Sequence, residues 1–224
     1  MERQKKITAD GSHTLIEPGL DVTYHSVYGA LQESRHVYIQ SGLHYLLSKS
    51  NPASVNILEV GFGTGLNALL SFLDTKQKNL NVYYHALEPF PLTEAEWMGL
   101  NYCALLNWPG SEAVFNEMHR SYCDTALTLS PSFSLYRDLS KLQEFRSPRS
   151  FNLLYYDAFA PAVQPELWTR EVFEKLFGYL EPGGVLVTYC SKGAVRRAMS
   201  EAGFIVGKIS GAAGKREMIR AVKR

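Results

Sequence analysis

A glycine-rich stretch follows an apolar run in the first third of the sequence. Residues 59–67 read Glu-Val-Gly-Phe-Gly-Thr-Gly-Leu-Asn, with glycine at 61, 63 and 65. Glycines in such a turn let the backbone approach a ligand closely and direct free N–H groups at it. A dinucleotide site would have glycine where Leu66 stands, and a P-loop would end in Gly-Lys-Ser or Gly-Lys-Thr. The spacing therefore predicts a ligand-binding loop of another kind, and the alternative is a tight turn that binds nothing.

Three acidic residues, Glu88, Asp138 and Asp157, each end a short apolar run. If these runs are parallel strands, their carboxyl ends share one edge of a sheet, where ligands of such folds bind. There, Glu88 can accept hydrogen bonds from both ribose hydroxyls of a nucleoside, and Asp138 is a candidate partner for the adenine amino group. Each acid also has an alternative role without a ligand. Glu88 could be a solvated cap of its strand, Asp138 could pair with Arg137, and Asp157 could cap the following turn.

The elements that would position these residues alternate from residue 51 onward. Apolar runs predict strands at 55–60, 81–88, 134–138, 151–157, 185–190, 204–210 and 216–222. A helix is predicted directly after the glycine loop, in the stretch that ends at Leu73, and further helices are predicted at 92–106, 165–180 and 194–203. Alternation of this kind implies right-handed crossovers and a parallel sheet. The last two strands are joined by a short connection and should pair as a hairpin. We therefore predict an α/β fold with a seven-stranded, mostly parallel sheet.

The N-terminal part lacks this alternation. Residues 13–25 surround a Pro-Gly pair and predict a hairpin, and apolar residues near the end of 28–50 have helical spacing. We expect residues 1–50 to form a small extension, a hairpin and a helix, packed on a main domain of residues 51–224.

The glycine loop, with an acid two residues before its first glycine, resembles motif I of class I S-adenosylmethionine (SAM) methyltransferases. This resemblance implies a Rossmann-like methyltransferase fold and SAM as the cofactor. It implies a cofactor site built from the loop and from the acids that end the strands, namely Glu59, Gly61, Phe62, Gly63, Gly65, Asn67, Glu88, Asp138 and Asp157.

Asp157 opens the stretch Asp-Ala-Phe-Ala-Pro, residues 157–161. Amine methyltransferases of this fold often have an acid or amide, prolines and an aromatic residue at this place, which the stretch resembles. We interpret Asp157 as the catalytic residue that holds the amine and stabilises its developing positive charge, with proton acceptance as a secondary role because an ordinary aspartate is a weak base. Phe159 and Pro161 are candidate substrate contacts. Tyr155 and Tyr156 either stack on a base or pack in the core.

A narrower resemblance covers most of the chain. Several stretches are similar to sequences of the MnmC/MnmD family. They are residues 59–67, 87–89, 157–168, 186–204 and 214–219, together with the N-terminal stretch from Tyr24 to Leu43. The resemblance implies methylation of the 5-aminomethyl group on the wobble (2-thio)uridine of tRNA to 5-methylaminomethyl. The chain resembles the stand-alone MnmD type of this family, because its sequence has no second dinucleotide motif. A separate oxidase is therefore expected to act upstream.

Basic residues are concentrated near the C-terminus, and we interpret five of them as candidate tRNA phosphate contacts, Lys192, Arg196, Arg197, Lys215 and Arg216. A solvated basic face is the alternative. Two other functions compete with tRNA methylation. One is aminopropyl transfer of the spermidine synthase type, which uses a related sheet and decarboxylated SAM. The other is a non-catalytic SAM- or RNA-binding module.

Composition sets the remaining expectations for this chain of 224 residues. The net charge is +1, and the three cysteines and six histidines form no metal-binding motif. The N-terminus is polar, and no apolar run approaches the length of a membrane span. We therefore expect a monomeric cytoplasmic protein with no metal and no membrane partner.

Overall fold

The structure is a computed structural model that describes residues 3–20, 22–76, 78, 80–121, 123 and 125–224. Its strands are β1 Gln4–Ile7, β2 His13–Glu17, β3 Val22–Thr23, β4 Ser54–Val60, β5 Asn81–Leu87, β6 Ala126–Ser130, β7 Phe133–Asp138, β8 Phe151–Tyr156, β9 Leu180–Thr188, β10 Ile205–Ser210 and β11 Glu217–Val222. Its α-helices are α1 Ala30–Ser34, α2 Tyr45–Ser50, α3 Leu66–Lys76, α4 Glu94–Met98, α5 Tyr102–Leu106, α6 Ser111–Arg120, α7 Arg170–Tyr179 and α8 Gly193–Glu201. A π-helical segment, Arg35–His44, joins α1 to α2, and a 3₁₀ turn, Pro165–Leu167, precedes α7.

The central sheet has the strand order β10-β11-β9-β8-β4-β5-β7-β6. The five strands from β9 to β7 run parallel, while β11 and β6 are each antiparallel to their neighbours. The α/β class, the mostly parallel sheet and the final hairpin are therefore confirmed. Because β4 lies between β8 and β5, the ends of these three strands meet at one edge, beside the end of β7.

Both faces of the sheet are buried. Along β4, Val55 and Ile57 pack against the π-helical segment and α3, whereas Leu58 and Val60 pack on the other face with α7 and α8. The same alternation places Tyr155 on the first face and Tyr156 on the second. A strand buried on both faces is apolar at nearly every position, which is why these runs were readable in the sequence.

The structure differs from the sequence prediction in four elements, one of which is α6, a helix that the sequence analysis does not predict. An eighth strand, β6, pairs with β7 at the edge of the sheet, and β1 adds a strand to the N-terminal hairpin formed by β2 and β3. Asp21, within that hairpin, lies outside the described residues. The single helix predicted over 92–106 is wrong, because α4 ends at Gly99 and α5 starts after Asn101. The break lets the Gly99 carbonyl oxygen accept a hydrogen bond from Lys5 Nζ at 3.3 Å. It also lets Asn101 Oδ1 accept a hydrogen bond from His13 N at 2.8 Å.

Candidate functional site

A cavity of about 700 Å³ opens at the carboxyl ends of β4, β5 and β8. The N-terminal three-stranded sheet forms one side of it, the glycine loop forms the floor, and the loops after β5, β7 and β8 complete the wall. Its lining residues are Arg3, Glu17, Leu20, Tyr24, His25, Val60, Gly61, Phe62, Gly63, Leu66, Asn67, Leu87, Glu88, Pro89, Phe90, Lys141, Leu142, Gln143, Asp157, Ala158, Phe159, Gln164, Glu166 and Leu167.

The glycine loop is shaped by close contacts with other parts of the protein. Gly61 has φ +93°, and a Cβ atom there would lie 2.7 Å from the Asp157 carbonyl oxygen. Gly63 and Gly65 also have positive φ; side chains there would meet the ring of Tyr24 and His119 Nε2 respectively. These glycines are therefore required by the packing of the loop against its neighbours, in addition to any ligand they approach.

Glu88 lies at the end of β5 and faces the cavity. Its Oε2 accepts a hydrogen bond from Gly63 N at 2.8 Å, and its Oε1 accepts one from Phe90 N at 2.9 Å. Burial raises the pKa of the Glu88 carboxyl above its ordinary value, although these two backbone donors oppose the rise. A carboxylate has about four acceptor positions, so two N–H groups leave capacity for further donors from a ligand.

Asp157 is half-buried at the end of β8, on the opposite side of the glycine loop from Glu88. Its Oδ2 accepts a hydrogen bond from Asn67 Nδ2 at 2.9 Å. Burial raises the pKa of the Asp157 carboxyl to about 7, while the nearby Tyr38 hydroxyl and the Asn67 amide oppose the rise. The sequence interpretation assumed an ordinary aspartate, so the structure changes the chemistry expected of this residue.

Glu59 and Asp138 do not reach the cavity lining. Glu59 is fully buried beneath it, and its Oε1 accepts a hydrogen bond from Asn67 Nδ2 at 2.9 Å. Asp138 Oδ2 lies 3.2 Å from His85 Nε2, and Asp138 Oδ1 accepts a hydrogen bond from Ser140 N at 2.7 Å. The alternative given for Asp138, an ion pair with Arg137, is not formed, because Arg137 donates to the carbonyl oxygens of residues 118, 119 and 121.

The loop after β8 separates the predicted substrate contacts. Phe159 lines the cavity and meets the ring of Tyr24 edge-on, with 5.1 Å between ring centroids. Pro161 lies in the following turn, outside the lining. Tyr155 and Tyr156 are fully buried in the core, so they form no stacking surface for a base.

Residues 105–224, just over half of the chain, match the family described as S-adenosyl-L-methionine-dependent methyltransferase. The chain belongs to this family.

Curated relatives of this methyltransferase share about 30% of its residues. It is 29% identical over 214 residues to the tRNA 5-methylaminomethyl-2-thiouridine biosynthesis bifunctional protein MnmC of Ectopseudomonas mendocina, covering 88% of this chain and 31% of the relative. The protein of the same name from Magnetococcus marinus is 30% identical over 224 residues, covering 93% and 32%. The chain thus spans about a third of the length of these relatives.

A solved structure supports the same relationship. The crystal structure of MnmC2 from Aquifex aeolicus superimposes with a TM-score of 0.80 at 26% identity, covering 99% of this chain and 70% of that chain. Membership of the methyltransferase family makes SAM its cofactor.

The charges around the cavity suit a SAM cation. Four acids line it, Glu17, Glu88, Asp157 and Glu166, against two bases, Arg3 and Lys141. Arg3 is itself paired, at 2.7 Å from Glu17 and 3.2 Å from Glu96. An excess of carboxylates favours a ligand that carries a sulfonium and an ammonium group. Glu88 remains the residue predicted to accept the ribose hydroxyls.

The predicted phosphate contacts lie away from this cavity and do not form one group. Lys192, Arg197 and Arg216 are exposed, and Arg196 and Arg197 line a shallow surface depression that also contains Lys208. Lys215 differs from the others. Its Nζ donates to Glu33 Oε1 at 2.7 Å and lies 4.1 Å above the ring of Tyr189, so it is already engaged within the protein.

Several site residues were not found from the sequence. Arg3, Glu17 and Tyr24 come from the N-terminal sheet, and no local pattern marks them. His119 supports the glycine loop, because its Nε2 donates to the Thr64 carbonyl oxygen at 3.0 Å. Burial lowers the pKa of His119 to about 3, so its ring is neutral at pH 7. Tyr38 beside Asp157 could have been suspected only from its place in the N-terminal block of the family resemblance.

Among the described residues, no group of His, Cys, Asp and Glu is arranged to hold a metal ion. Within the same part of the chain, no helix is both long and apolar enough to span a membrane.

Proposed function

We propose that this methyltransferase converts the 5-aminomethyl group of the wobble (2-thio)uridine of tRNA to 5-methylaminomethyl. The observation that carries the proposal is the half-buried carboxylate of Asp157, which shares one cavity with the glycine loop and with Glu88. An amine substrate needs an anionic partner at the point of methyl transfer, and Asp157 is the acid best placed to supply it. The names of the relatives suggest which amine is methylated.

When bound, SAM supplies an electrophilic methyl group on its sulfonium. The chain must bind the amine, orient it and remove a proton, because only the unprotonated nitrogen is nucleophilic. The Asp157 carboxylate can bind the ammonium form first. A pKa of about 7 then makes it a better matched proton acceptor than an ordinary aspartate near 4. The same carboxylate stabilises positive charge that develops on the nitrogen. We therefore assign Asp157 both roles.

Phe159 is proposed as a contact for the uracil ring, since it is the aromatic residue of the loop that faces the cavity. Its edge-on contact with Tyr24 would have to adjust for a base to stack on it. Residues 1–50 are proposed as an extension that covers the cavity of a methyltransferase domain comprising residues 51–224. We also propose that the protein acts as a monomer.

The family match does not favour aminopropyl transfer or a module without activity. A direct test uses tRNA from cells that lack this protein, incubated with SAM and the purified chain and analysed by nucleoside mass spectrometry. We expect aminomethyl-uridine to gain one methyl group. If total tRNA gains no methyl group while the protein binds SAM, tRNA is not the substrate.

We propose that an oxidase activity outside residues 1–224 supplies the amine. The printed sequence contains one glycine-rich nucleotide loop, at residues 59–67, and no flavin motif. The pure chain should therefore methylate aminomethyl-uridine tRNA and leave carboxymethylaminomethyl-uridine tRNA unchanged. Conversion of the second tRNA by the pure protein without added flavin would contradict this prediction.

A further inference from the structure

A chain of polar groups runs from Asp157 through Asn67, which also lines the cavity, to the buried Glu59. Asn67 Nδ2 lies 2.9 Å from Asp157 Oδ2 and 2.9 Å from Glu59 Oε1. An amide nitrogen has two hydrogens, so Asn67 donates one to each carboxyl group. Asn67 is 3% exposed and Glu59 is fully buried. Both donors of Asn67 are therefore committed to acids and are not available to a ligand.

The charge state of Glu59 follows from its surroundings. Within the described residues it forms no ion pair, and its Oε2 has no hydrogen-bond partner. The charged groups that act on it are two further acids, Asp157 from β8 and Glu88 from β5, and the hydroxyl of Tyr84 lies close by. An unpaired buried carboxylate beside other acids is strongly disfavoured, so the group takes up a proton. Consistently, burial raises the pKa of the Glu59 carboxyl well above its ordinary value.

Asp157 has a different environment, because it borders the cavity and is only half-buried, whereas Glu59 is fully buried. The Tyr38 hydroxyl faces it from the π-helical segment, and the charges of Glu33 and Lys215 act on it from α1 and from the loop before β11. Glu33 and Lys215 are paired with each other at 2.7 Å and largely offset one another. Of the two carboxyl groups that share Asn67, Asp157 is thus the one that ionises.

We propose that Asn67 and a neutral Glu59 are positioning residues that hold the Asp157 carboxylate toward the amine, rather than ligands of the cofactor. The inference rests on the proposed amine methylation. It changes the role that the sequence assigned to both residues. A neutral Glu59 accepts the Asn67 N–H through Oε1 without repelling Asp157, which fixes the rotamer of Asn67. The remaining N–H of Asn67 then fixes the carboxylate of Asp157 at the cavity.

The protonation of Glu59 is tested by NMR of the protein carrying ¹³C-labelled glutamate carboxyl groups. We expect one glutamate carboxyl to remain protonated at neutral pH in the wild-type protein and its signal to be lost in Glu59→Gln. Glu88→Gln is the matched control and should retain that signal. If every glutamate is ionised at neutral pH, or if the protonated signal survives Glu59→Gln, the proposal is overturned.

The positioning role is tested by Asn67→Ala, with Asn67→Ser as a second variant should the first not fold. A hydrogen bond to a charged group is worth about tenfold to a hundredfold in a rate, and kcat should fall by that factor. SAM affinity in calorimetry should be unchanged. The acidic limb of the pH–rate profile should move to higher pH, because the ionised form of Asp157 loses a donor. A weaker SAM complex with normal kcat, or an unmoved acidic limb, overturns the proposal.

The pH–rate profile of Glu59→Gln tests whether Glu59 is neutral or charged in the wild-type protein. Glutamine copies the acceptor and the lack of charge of a protonated Glu59, so the acidic limb should stay in place. A limb that moves to lower pH would mean that a negative charge had been removed, which contradicts the proposal. The NMR and calorimetric measurements need no tRNA. If they behave as expected while tRNA is not methylated, the substrate assignment fails and the positioning of Asp157 stands.

Discussion

At the scale of single residues, the chemistry depends on how the protein surrounds Asp157. The strand before it ends at the cavity, the core lies beneath it, and the Asn67 amide and Tyr38 hydroxyl are close to its carboxyl group. Burial disfavours the charged form of Asp157, whereas the Asn67 amide and the Tyr38 hydroxyl favour it. Burial has the larger effect, so the pKa of Asp157 is raised to about 7. The residue is thereby able both to attract a cation and to accept a proton near neutral pH.

Asp157→Ala should keep the fold and SAM affinity but lower kcat by about a hundredfold to a thousandfold, the effect of removing one transition-state stabilising group. Asp157→Asn should be milder, because its amide oxygen still accepts a hydrogen bond. Single-turnover kinetics with aminomethyl-uridine tRNA, alongside SAM calorimetry, measures both. If Asp157→Ala folds, binds SAM and retains near-normal turnover, Asp157 is a turn cap and takes no part in catalysis.

The raised pKa of Asp157 also predicts how stability depends on pH. Between roughly pH 4 and pH 7 the folded protein binds a proton at Asp157 that the unfolded chain has released. The contribution of this group to the free energy of unfolding is therefore present below about pH 4 and is lost as the pH rises through about 7. Thermal unfolding of wild type and Asp157→Asn across this range should show a steeper decline in wild type, because the raised pKa values of Glu59 and Glu88 contribute a decline to both proteins. Parallel pH dependences in the two proteins would refute it.

Gly61 offers a second test at this scale. Gly61→Ala should destabilise the protein by at least about 1–3 kcal/mol, because its positive φ disfavours a side chain and its Cβ would contact the Asp157 carbonyl oxygen. Gly19→Ala is the control, since nothing lies within 4 Å of the Cβ atom it would add. Denaturant unfolding of both variants compares the two positions. An equal, small effect at both would show that the contact with the Asp157 loop can relax.

At the scale of elements, the N-terminal sheet completes the cavity rather than extending the central sheet. Arg3 at the start of β1 joins Glu17 at the end of β2 to Glu96 of α4, and its guanidinium lies 5.8 Å from the ring of Tyr24. Tyr24 in turn contacts Gly63 and Phe159. The ion pairs of Arg3 thus connect the extension to α4, and the nearby Tyr24 ring packs beside the glycine loop and the loop after β8.

Arg3→Ala should weaken SAM binding several-fold, since it leaves Glu17 and Glu96 without their cation and loosens Tyr24 over the glycine loop. Arg170→Ala is the matched control, because Arg170 pairs with Glu174 at an exposed site on α7, where an ion pair contributes little. Calorimetry with SAM compares the two. Equal SAM affinities would mean that the extension stays in place without Arg3.

At the scale of the whole molecule, a net charge of +1 conceals an uneven distribution. Acids predominate around the cavity, where a cationic cofactor and an amine would bind, whereas exposed bases line the depression beside α8. Such a separation lets one small protein attract two ligands of opposite charge to different surfaces. Lys215, one of the five predicted phosphate contacts, is paired with Glu33 within the protein.

Reversing Arg196 and Arg197 to glutamate should weaken tRNA binding and reduce its salt dependence, while leaving SAM affinity unchanged. Lys49→Glu provides a control on an exposed lysine of α2. Filter binding over a series of salt concentrations gives both the affinity and the slope. A flat salt response in wild type would make these arginines an ordinary solvated surface.

Short stretches of the sequence were enough to predict the parallel strands, the glycine loop and the acids Glu88 and Asp157 at the strand ends. Strands buried on both faces are apolar over their whole length, and the loop glycines are set by local backbone geometry, so these features are visible in short stretches. The edge strands β1 and β6 are less apolar, and the break between α4 and α5 serves contacts with the N-terminal sheet. Local patterns therefore did not reveal them.

The surroundings of the individual acids, in contrast, depend on how distant segments fold together. The tertiary structure buried Glu59 beneath the cavity, directed Asp138 to His85 and Ser140, and paired Lys215 with Glu33. It also brought Arg3, Tyr24 and Tyr38 to a site formed mainly by residues far along the chain. The charge state and partners of an ionisable group depend on burial and on neighbours from distant segments, because desolvation and Coulomb interactions act through space. The type of residue is written in the sequence, whereas its pKa and its role are set by the fold.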